Sequence, residues 1–326
     1  MKPRHTLLLS LLLTASLAHA QSTEAEFDAL ARAYKITEIE ALARERLKAN
    51  PKDEVALWAW GRSVSGDAKK RAELLPQAES CAQERPQSAY CHSLLGSLYG
   101  SAAMSGGMSE AMKYVGRIKD SFLKAVELSP KHFDMRRDLI QFYLQAPGIA
   151  GGSVRKARDQ AAEFAALDPA RGALLRADIH AYEEEYPKAE ALLLGVKPGK
   201  DTELASDLHN SFTTLGFAYL QAKQFDKAQS LFERVVNEDK SRAFAHFGLG
   251  RALLERQQFD PAIAAFERAL QINPKQTLHY RLGMAYLGKG DKAKAAAAFK
   301  QFISYQATGK QADESRKRLA ELGAAG

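Results

Sequence analysis

The residues best suited to chemistry are histidines, because imidazole is both a general base near neutral pH and a common metal ligand. His246 and His279 occupy the same position in two successive, similar segments, so we expect them to be neighbours. A metal site would need a third ligand, and no Cys, Asp or Glu has helical spacing to this pair. We therefore interpret both histidines as packing or hydrogen-bonding residues and predict no metal site.

Two glycine-rich segments have the composition of nucleotide-binding loops. Gly148–Ser153 lacks the Lys-Ser/Thr pair of a phosphate-binding loop, and Gly288–Ala293 has the glycine spacing of the dinucleotide fingerprint. Both motifs require a preceding β-strand, whereas the sequence before each segment has helical periodicity. We predict no nucleotide at either segment.

Signatures of catalysis are missing as well. Neither His-Glu-x-x-His nor Gly-x-Ser-x-Gly occurs in the sequence. A Ser-His-Asp triad is assembled by the fold and not by sequence spacing, so the scattered members of that set identify no active site. We predict that the protein is not an enzyme and has no cofactor.

The N-terminus has the pattern of a bacterial secretory signal peptide. A positive start with Lys2 and Arg4 precedes an apolar run, Leu7–Leu17, and the small-x-small sequence Ala18–Ala20. The run is too short for a membrane span, and no cysteine follows the cleavage site to carry a lipid anchor. We predict cleavage after Ala20, no membrane span and a periplasmic protein, with the external medium as the alternative.

Composition indicates a folded protein without affinity for nucleic acids. Apolar residues make up 46% of the chain and charged residues 26%, as in ordinary globular proteins. The net charge of +7 becomes +5 once Lys2 and Arg4 leave with the signal peptide. Basic and acidic residues are interspersed, and no basic block carries interleaved aromatic residues. These features argue against nucleic-acid binding.

The two cysteines are candidates for a disulfide bond, because export brings the protein into an oxidising compartment. Cys81 and Cys91 each lie five residues from Pro86, one on either side. On antiparallel helices joined at Pro86 they would stand level with each other. Two buried free thiols remain the alternative.

The elements that must position these residues are repeats. One unit of 33 to 34 residues is written three times from His209 onward, with small and large residues at fixed places. A Leu-Gly pair is followed twelve residues after the glycine by alanine and sixteen after it by phenylalanine. The glycines are Gly216, Gly250 and Gly283, the alanines are Ala228, Ala262 and Ala295, and the phenylalanines are Phe232, Phe266 and Phe299. We expect the alanines to face the glycines across two closely packed helices, with the rings filling the space beside each crossing.

This pattern resembles the tetratricopeptide repeat, a helix–turn–helix unit. The resemblance implies an all-α, right-handed superhelical solenoid of about seven helix pairs. After the signal peptide at 1–20, we expect an N-terminal helical cap at 21–52 and irregular repeats with lengthened helices at 53–200. Three regular repeats at 201–310 and a C-terminal capping helix and tail at 311–326 complete the chain.

The resemblance also implies a binding surface, because this family uses the concave face built from the first helix of each repeat. The corresponding residues of the regular repeats form an aromatic cluster with one arginine. They include Phe217, Phe244, Phe247, Arg251, Tyr280 and Met284. These side chains either anchor a partner peptide or pack between neighbouring first helices.

The function implied by the resemblance is a non-catalytic scaffold or adaptor that binds a protein or peptide segment. The partner and the oligomeric state are not encoded in the pattern. A second hypothesis is a carrier of a small or apolar ligand, with a cavity between the segments Met104–Val115 and Phe142–Ile149. An enzyme is the third.

The signal peptide can be tested on secreted material. We expect N-terminal sequencing and intact mass to show a chain that begins at Gln21, because Ala18–Ala20 is the cleavage motif. A cytoplasmic protein that retains Met1 would contradict export, and it would weaken the argument for a disulfide.

Overall fold

The computed structural model describes residues 24–31, 35–274 and 278–323. The predicted signal peptide lies outside these residues. Across the described ranges the protein is α-helical, with one short 3₁₀ helix and no strand. The predicted all-α fold is therefore confirmed. No helix in these ranges is both long and apolar enough to cross a membrane.

The chain forms two compact units that divide between Ile179 and His180. The helices that begin in unit 1 are α1 (24–31), α2 (Ile36–Ala49), α3 (Glu54–Val64), α4 (Ala68–Glu84), α5 (Ala89–Ser105), α6 (Gly107–Leu128), α7 (Phe133–Gln145), α8 (Val154–Leu167) and α9 (Pro169–Tyr182), with a 3₁₀ helix at Gly148–Ala150. Unit 2 contains α10 (Tyr186–Gly195), α11 (Thr202–Gln221), α12 (Phe225–Glu238), α13 (Ala243–Glu255), α14 (Phe259–Ile272), α15 (His279–Lys289), α16 (Lys292–Tyr305) and α17 (Lys310–Glu321).

Short polar side chains mark where several helices begin. The Ser153 hydroxyl accepts a hydrogen bond from the Lys156 amide at 3.3 Å, and the Asp201 carboxylate accepts one from the Leu204 amide at 2.8 Å. Each bond satisfies one of the free amides in the first turn of a helix, a contribution of about 1 kcal/mol. The lengthened pair is α5 and α6, of 17 and 22 residues, which meet at Gly106.

The close contact inside each regular repeat joins glycine to phenylalanine. A Cβ atom added at Gly216 would lie 2.8 Å from the Phe232 ring, and one added at Gly250 would lie 2.6 Å from the Phe266 ring. The same holds at Gly283, where the nearest atoms belong to Phe299 at 2.7 Å. The atoms nearest each glycine are thus those of the phenylalanine, not of the alanine expected there. The ring rests directly on the bare helix backbone and fills the space that a side chain at the glycine would occupy.

Cys81 near the end of α4 and Cys91 at the start of α5 are joined by a disulfide in the structure. Their Cα atoms are 5.4 Å apart, within the roughly 4.4–6.8 Å that a disulfide requires. Both side chains are buried in the core of unit 1, at 3% and 0% exposure. The bond therefore staples α4 to α5 on either side of Pro86.

The disulfide can be tested by unfolding with and without reductant. Closure of so short a loop should stabilise the fold by about 2–3 kcal/mol, so reduction should lower the free energy of unfolding by that amount. The matched control is the double variant Cys81→Ser, Cys91→Ser, whose stability should not respond to reductant. Two titratable thiols in unfolded, unreduced protein from the periplasm would contradict the pairing.

Candidate protein-interaction surface

The candidate residues lie on the first helices of the regular repeats in unit 2. Phe217 belongs to α11, Phe247 and Arg251 to α13, and Tyr280 and Met284 to α15. We call these five residues the aromatic patch. Three of them, Phe217, Arg251 and Met284, directly follow the glycine of their repeat. Because each glycine faces the second helix, its successor is rotated by about 100° to the neighbouring face of the first helix.

The rings of the aromatic patch are half-buried, and each leans on the core. The Phe217 and Phe247 ring centroids are 6.2 Å apart, and Phe217 makes an edge contact with core Phe232 at 5.1 Å. Phe247 lies 6.1 Å from Phe266, and Tyr280 lies 6.2 Å from Phe299. Each ring therefore has one side in the core and another open to solvent. Packing and partner contact are not exclusive here.

Phe244 has a different environment from the aromatic patch. Its side chain is 45% exposed, the largest exposure among the six candidate residues. It is on α13 with Phe247, three residues earlier. The structure therefore separates one strongly exposed ring from five half-buried residues.

Arg251 is the charged member of the aromatic patch. Its guanidinium carbon lies 5.8 Å from the centroids of both the Phe217 and Phe247 rings. Among the described residues no carboxylate is within ion-pair distance, and the buried Nε has no hydrogen-bond partner. Burial, aided by the nearby positive charge of Arg281, lowers the pKa of Arg251. The nearest acidic influence, Glu255, pairs with Arg281 at 3.6 Å.

This arrangement leaves a partly desolvated cation that forms no ion pair among the described residues. Removal of a charge from water costs free energy unless a partner charge or a hydrogen bond offsets the loss. The two aromatic faces compensate in part through cation–π attraction. A carboxylate brought to Arg251 from outside would supply the missing partner, in the bidentate geometry that guanidinium groups favour.

The two histidines have local hydrogen-bond partners. Nε2 of His246 lies 3.2 Å from the carbonyl oxygen of Lys240, and Nδ1 of His279 lies 2.8 Å from the Tyr305 hydroxyl. Burial lowers the pKa of both imidazoles. These contacts agree with a packing and hydrogen-bonding role.

A different cluster, missed by the sequence analysis, brings together His180, Glu183 and Glu185, whose ligand atoms lie within 4.8 Å of one another. The sequence signal for this cluster is a histidine near the end of α9 followed by three glutamates before α10. Glu185 already binds the Lys188 ammonium at 2.7 Å and His180 Nδ1 at 2.7 Å. Since the lysine supplies the positive charge that the carboxylates require, we assign no metal to this group.

The loop Gly148–Ser153 has the wrong backbone for an anion. Its amides are directed inward: Gly152 donates to the carbonyl oxygen of Pro147 at 3.1 Å, and Ser153 donates to that of Tyr143 at 2.7 Å. A phosphate-binding loop instead keeps successive amides free for the ligand. In the segments proposed to enclose an apolar ligand, Met104 and Ile149 are 81% and 91% exposed, whereas Tyr114, Phe142, Tyr143 and Leu144 are buried.

The fold and this surface define a helical repeat protein with an aromatic face on its first helices. Residues 119–308, more than half of the chain, match the family model described as the "Tetratricopeptide repeat protein 21 C-terminal ARM domain". The chain belongs to this family of tetratricopeptide-repeat proteins. No curated protein sequence matches it.

Several solved structures are similar to this chain in fold. Yeast Tom70 aligns over 89% of this chain and 58% of its own, with 14% identity and a TM-score of 0.57. The Cut9–Hcn1 tetramer of the APC/C aligns over 90% and 54%, with 16% identity and a TM-score of 0.48. A tetratricopeptide repeat protein from Parabacteroides merdae aligns over 82% and 98%, with 14% identity and a TM-score of 0.48. The chain thus spans little more than half the length of the first two.

A series of Phe→Ala variants tests how far the aromatic patch belongs to the core. Phe266→Ala should lower the free energy of unfolding by about 3–5 kcal/mol, because that ring is fully buried on Gly250. Phe247→Ala should cost clearly less, since its ring is half-buried. Phe244→Ala, the exposed control, should change stability by no more than about 0.5 kcal/mol. Denaturant unfolding measures all three, and an equal loss for Phe247 and Phe266 would place the aromatic patch in the core.

Proposed function

We propose that the protein is a non-catalytic scaffold of the bacterial periplasm that binds a protein or peptide segment on the aromatic patch of unit 2. The observation that carries the proposal is Arg251, a partly desolvated guanidinium between two aromatic rings with no carboxylate partner among the described residues. The secretory N-terminus supports the location, and membership of the tetratricopeptide-repeat family supports the class of function.

The chemistry of the aromatic patch specifies the partner. Half-buried rings on rigid helices lose little conformational entropy on binding, and aromatic and arginine side chains dominate the affinity of many interfaces. The partner segment therefore carries an apolar side chain that covers Phe217, Phe247 or Tyr280, next to a carboxylate that pairs with Arg251. Binding completes the desolvation of a guanidinium that is already partly desolvated, so the additional cost is small.

Arg234 in α12 provides a matched control. Its guanidinium also lies over a phenylalanine, 5.1 Å from the Phe212 ring centroid, but it forms an ion pair with Glu238 at 3.1 Å. Replacement of either arginine by methionine removes a charge and keeps a long apolar side chain. Only Arg251→Met removes a charge that is available to a partner.

The experiment is crosslinking in the bacterial cell with a photoreactive amino acid at Phe217, read by mass spectrometry. We expect one partner, with a carboxylate beside an apolar residue in the crosslinked peptide. Arg251→Met should reduce its capture at least tenfold, about 1.4 kcal/mol in binding free energy, whereas Arg234→Met should leave capture within about twofold.

The same experiment distinguishes loss of partner binding from misfolding of the variant. Arg251→Met breaks no ion pair among the residues that the structure describes, so its unfolding midpoint should match that of the wild type. A photoreactive group at Leu167, an exposed position in unit 1, serves as the background. Undiminished capture by Arg251→Met, or the same products from Leu167, would overturn the aromatic patch as the binding site.

A further inference from the structure

The first helix of unit 1 makes contacts that a regular repeat does not make. In a solenoid of stacked repeats each helix pair contacts mainly its neighbours. Glu24 of α1 instead contacts residues of the second and the third helix pair after its own. Its Oε2 accepts a hydrogen bond from the Tyr90 hydroxyl of α5 at 2.7 Å, and its Oε1 lies 2.8 Å from Nε2 of His132, the residue before α7. Helix α1 therefore lies across the first helices of the following repeats.

The surface under α1 is aromatic. The rings of Trp58, Tyr90 and His132 meet edge to face, with centroids 5.4 to 5.8 Å apart. Phe27 of α1 is 2% exposed and belongs to the same buried cluster as Trp58. We call the three rings of Trp58, Tyr90 and His132 the α1-binding surface. Glu24 and Phe27 are three residues apart, so one face of a single helical turn presents both the carboxylate and the ring to it.

We propose that the α1-binding surface is a second binding site, occupied by the chain's own α1, from which a partner's helical segment with a carboxylate one turn before an aromatic ring displaces α1. This site lies in unit 1 and is independent of the aromatic patch. We infer the chemistry of the partner from α1 itself: the partner is a helix with an acidic and an aromatic residue at the spacing of Glu24 and Phe27.

The small burial of α1 makes it exchangeable. Among its described residues only Phe27 is buried, whereas α12, a structural helix, buries five residues. A helix of eight residues is too short to persist alone in water, so α1 depends on the surface for its order. Segments with few buried contacts open at a fraction of the global unfolding free energy. The short tether to α2 favours rebinding of α1, and a competitor must outweigh that effective concentration.

The polar contact makes the binding of α1 depend on pH. His132 faces Glu24 of α1, Asp134 of α7 and Arg62 of α3. Burial opposes its charged form, but the two carboxylates prevail and raise the pKa of His132. Burial likewise opposes ionisation of Glu24, but hydrogen bonds from His132 and Tyr90 lower the pKa of Glu24.

Glu24 and His132 stabilise bound α1 over different ranges of pH. The stabilisation from Glu24 is present above its ordinary pKa and is lost as pH falls through the lowered value. The stabilisation from His132 is complete below its ordinary pKa and is lost as pH rises through the raised value. Helix α1 is therefore held most firmly between about pH 4.5 and 6.5, and a competitor that presents its carboxylate to the same imidazole has the same preference.

The test uses a fluorescent synthetic peptide with the sequence of residues 21–35 and the full chain. In the variant Glu24→Gln, Phe27→Ala the resident helix has lost its carboxylate at Tyr90 and His132 and its buried ring. We expect this opened variant to bind the peptide at least tenfold more tightly than the wild type. The matched control is a peptide with the same two substitutions, which should not bind.

Intrinsic tryptophan fluorescence reports where on the protein the peptide binds. Both tryptophans of the chain, Trp58 and Trp60, are on α3, so peptide bound at the α1-binding surface should change their emission. His132→Ala in the opened variant should weaken binding by removing the imidazole that contacts the carboxylate. A folded opened variant that does not bind the peptide overturns the proposal. The proposal is also overturned if the peptide binds without a change in tryptophan emission and binds equally well after His132→Ala.

A measurement on the wild type covers the case in which the opened variant does not fold. Hydrogen exchange should be at least 100-fold faster at the amides of residues 28–31 than at those in the middle of α5. Equal protection of α1 and α5 would make α1 a fixed part of the fold and overturn the proposal. A concentration-dependent wild-type dimer that disappears in the opened variant would support the site and identify a second copy's α1 as its occupant.

Discussion

The contact on which the regular repeats depend is the one between a glycine on each first helix and the phenylalanine ring on its partner. A Cβ atom at Gly250 would lie 2.6 Å from Phe266, a distance that real side chains do not tolerate. The missing side chain allows the ring to rest on the helix backbone, which fixes how closely α13 and α14 approach. Burial of Phe266 in that position removes its whole side chain from water, so one contact provides both the geometry and much of the stability.

The same contact determines which residues reach the surface. With Gly250 turned toward α14, Arg251 must leave the helix on the neighbouring face, where α11 and α15 contribute Phe217 and Met284. The aromatic patch is thus a consequence of core packing, and its rings pack on the core phenylalanines. A surface built in this way is rigid before a partner arrives, so binding loses little side-chain freedom. Arg251 adds specificity, because its charge is only partly compensated by the two rings.

Unit 1 uses a different balance of interactions. The disulfide between Cys81 and Cys91 joins α4 to α5, and the lengthened pair α5 and α6 follows it. Across the first helices lies α1, whose Phe27 is its one buried residue among those described and whose Glu24 contacts Tyr90 and His132. A disulfide-stapled scaffold with a lightly held helix can open locally without unfolding as a whole. The two units therefore present two surfaces of related chemistry, with a partly compensated arginine in unit 2 and a histidine engaged by Glu24 in unit 1.

The sequence by itself determined the helical repeats, because the spacing of Gly216, Gly250 and Gly283 records a local constraint within each repeat. The N-cap at Ser153 is likewise local, since a helix start depends on a few adjacent residues. Only the tertiary structure decided that phenylalanine, not alanine, supplies the atoms nearest each glycine. The two residues lie four apart on one face of the second helix, so the choice depends on how far that helix is displaced along its axis. The unpaired state of Arg251 depends on which side chains the adjacent helices bring near it. The bond between Glu24 and His132 joins residues 108 positions apart, and a 34-residue period describes contacts between neighbouring repeats and not a helix that crosses several of them.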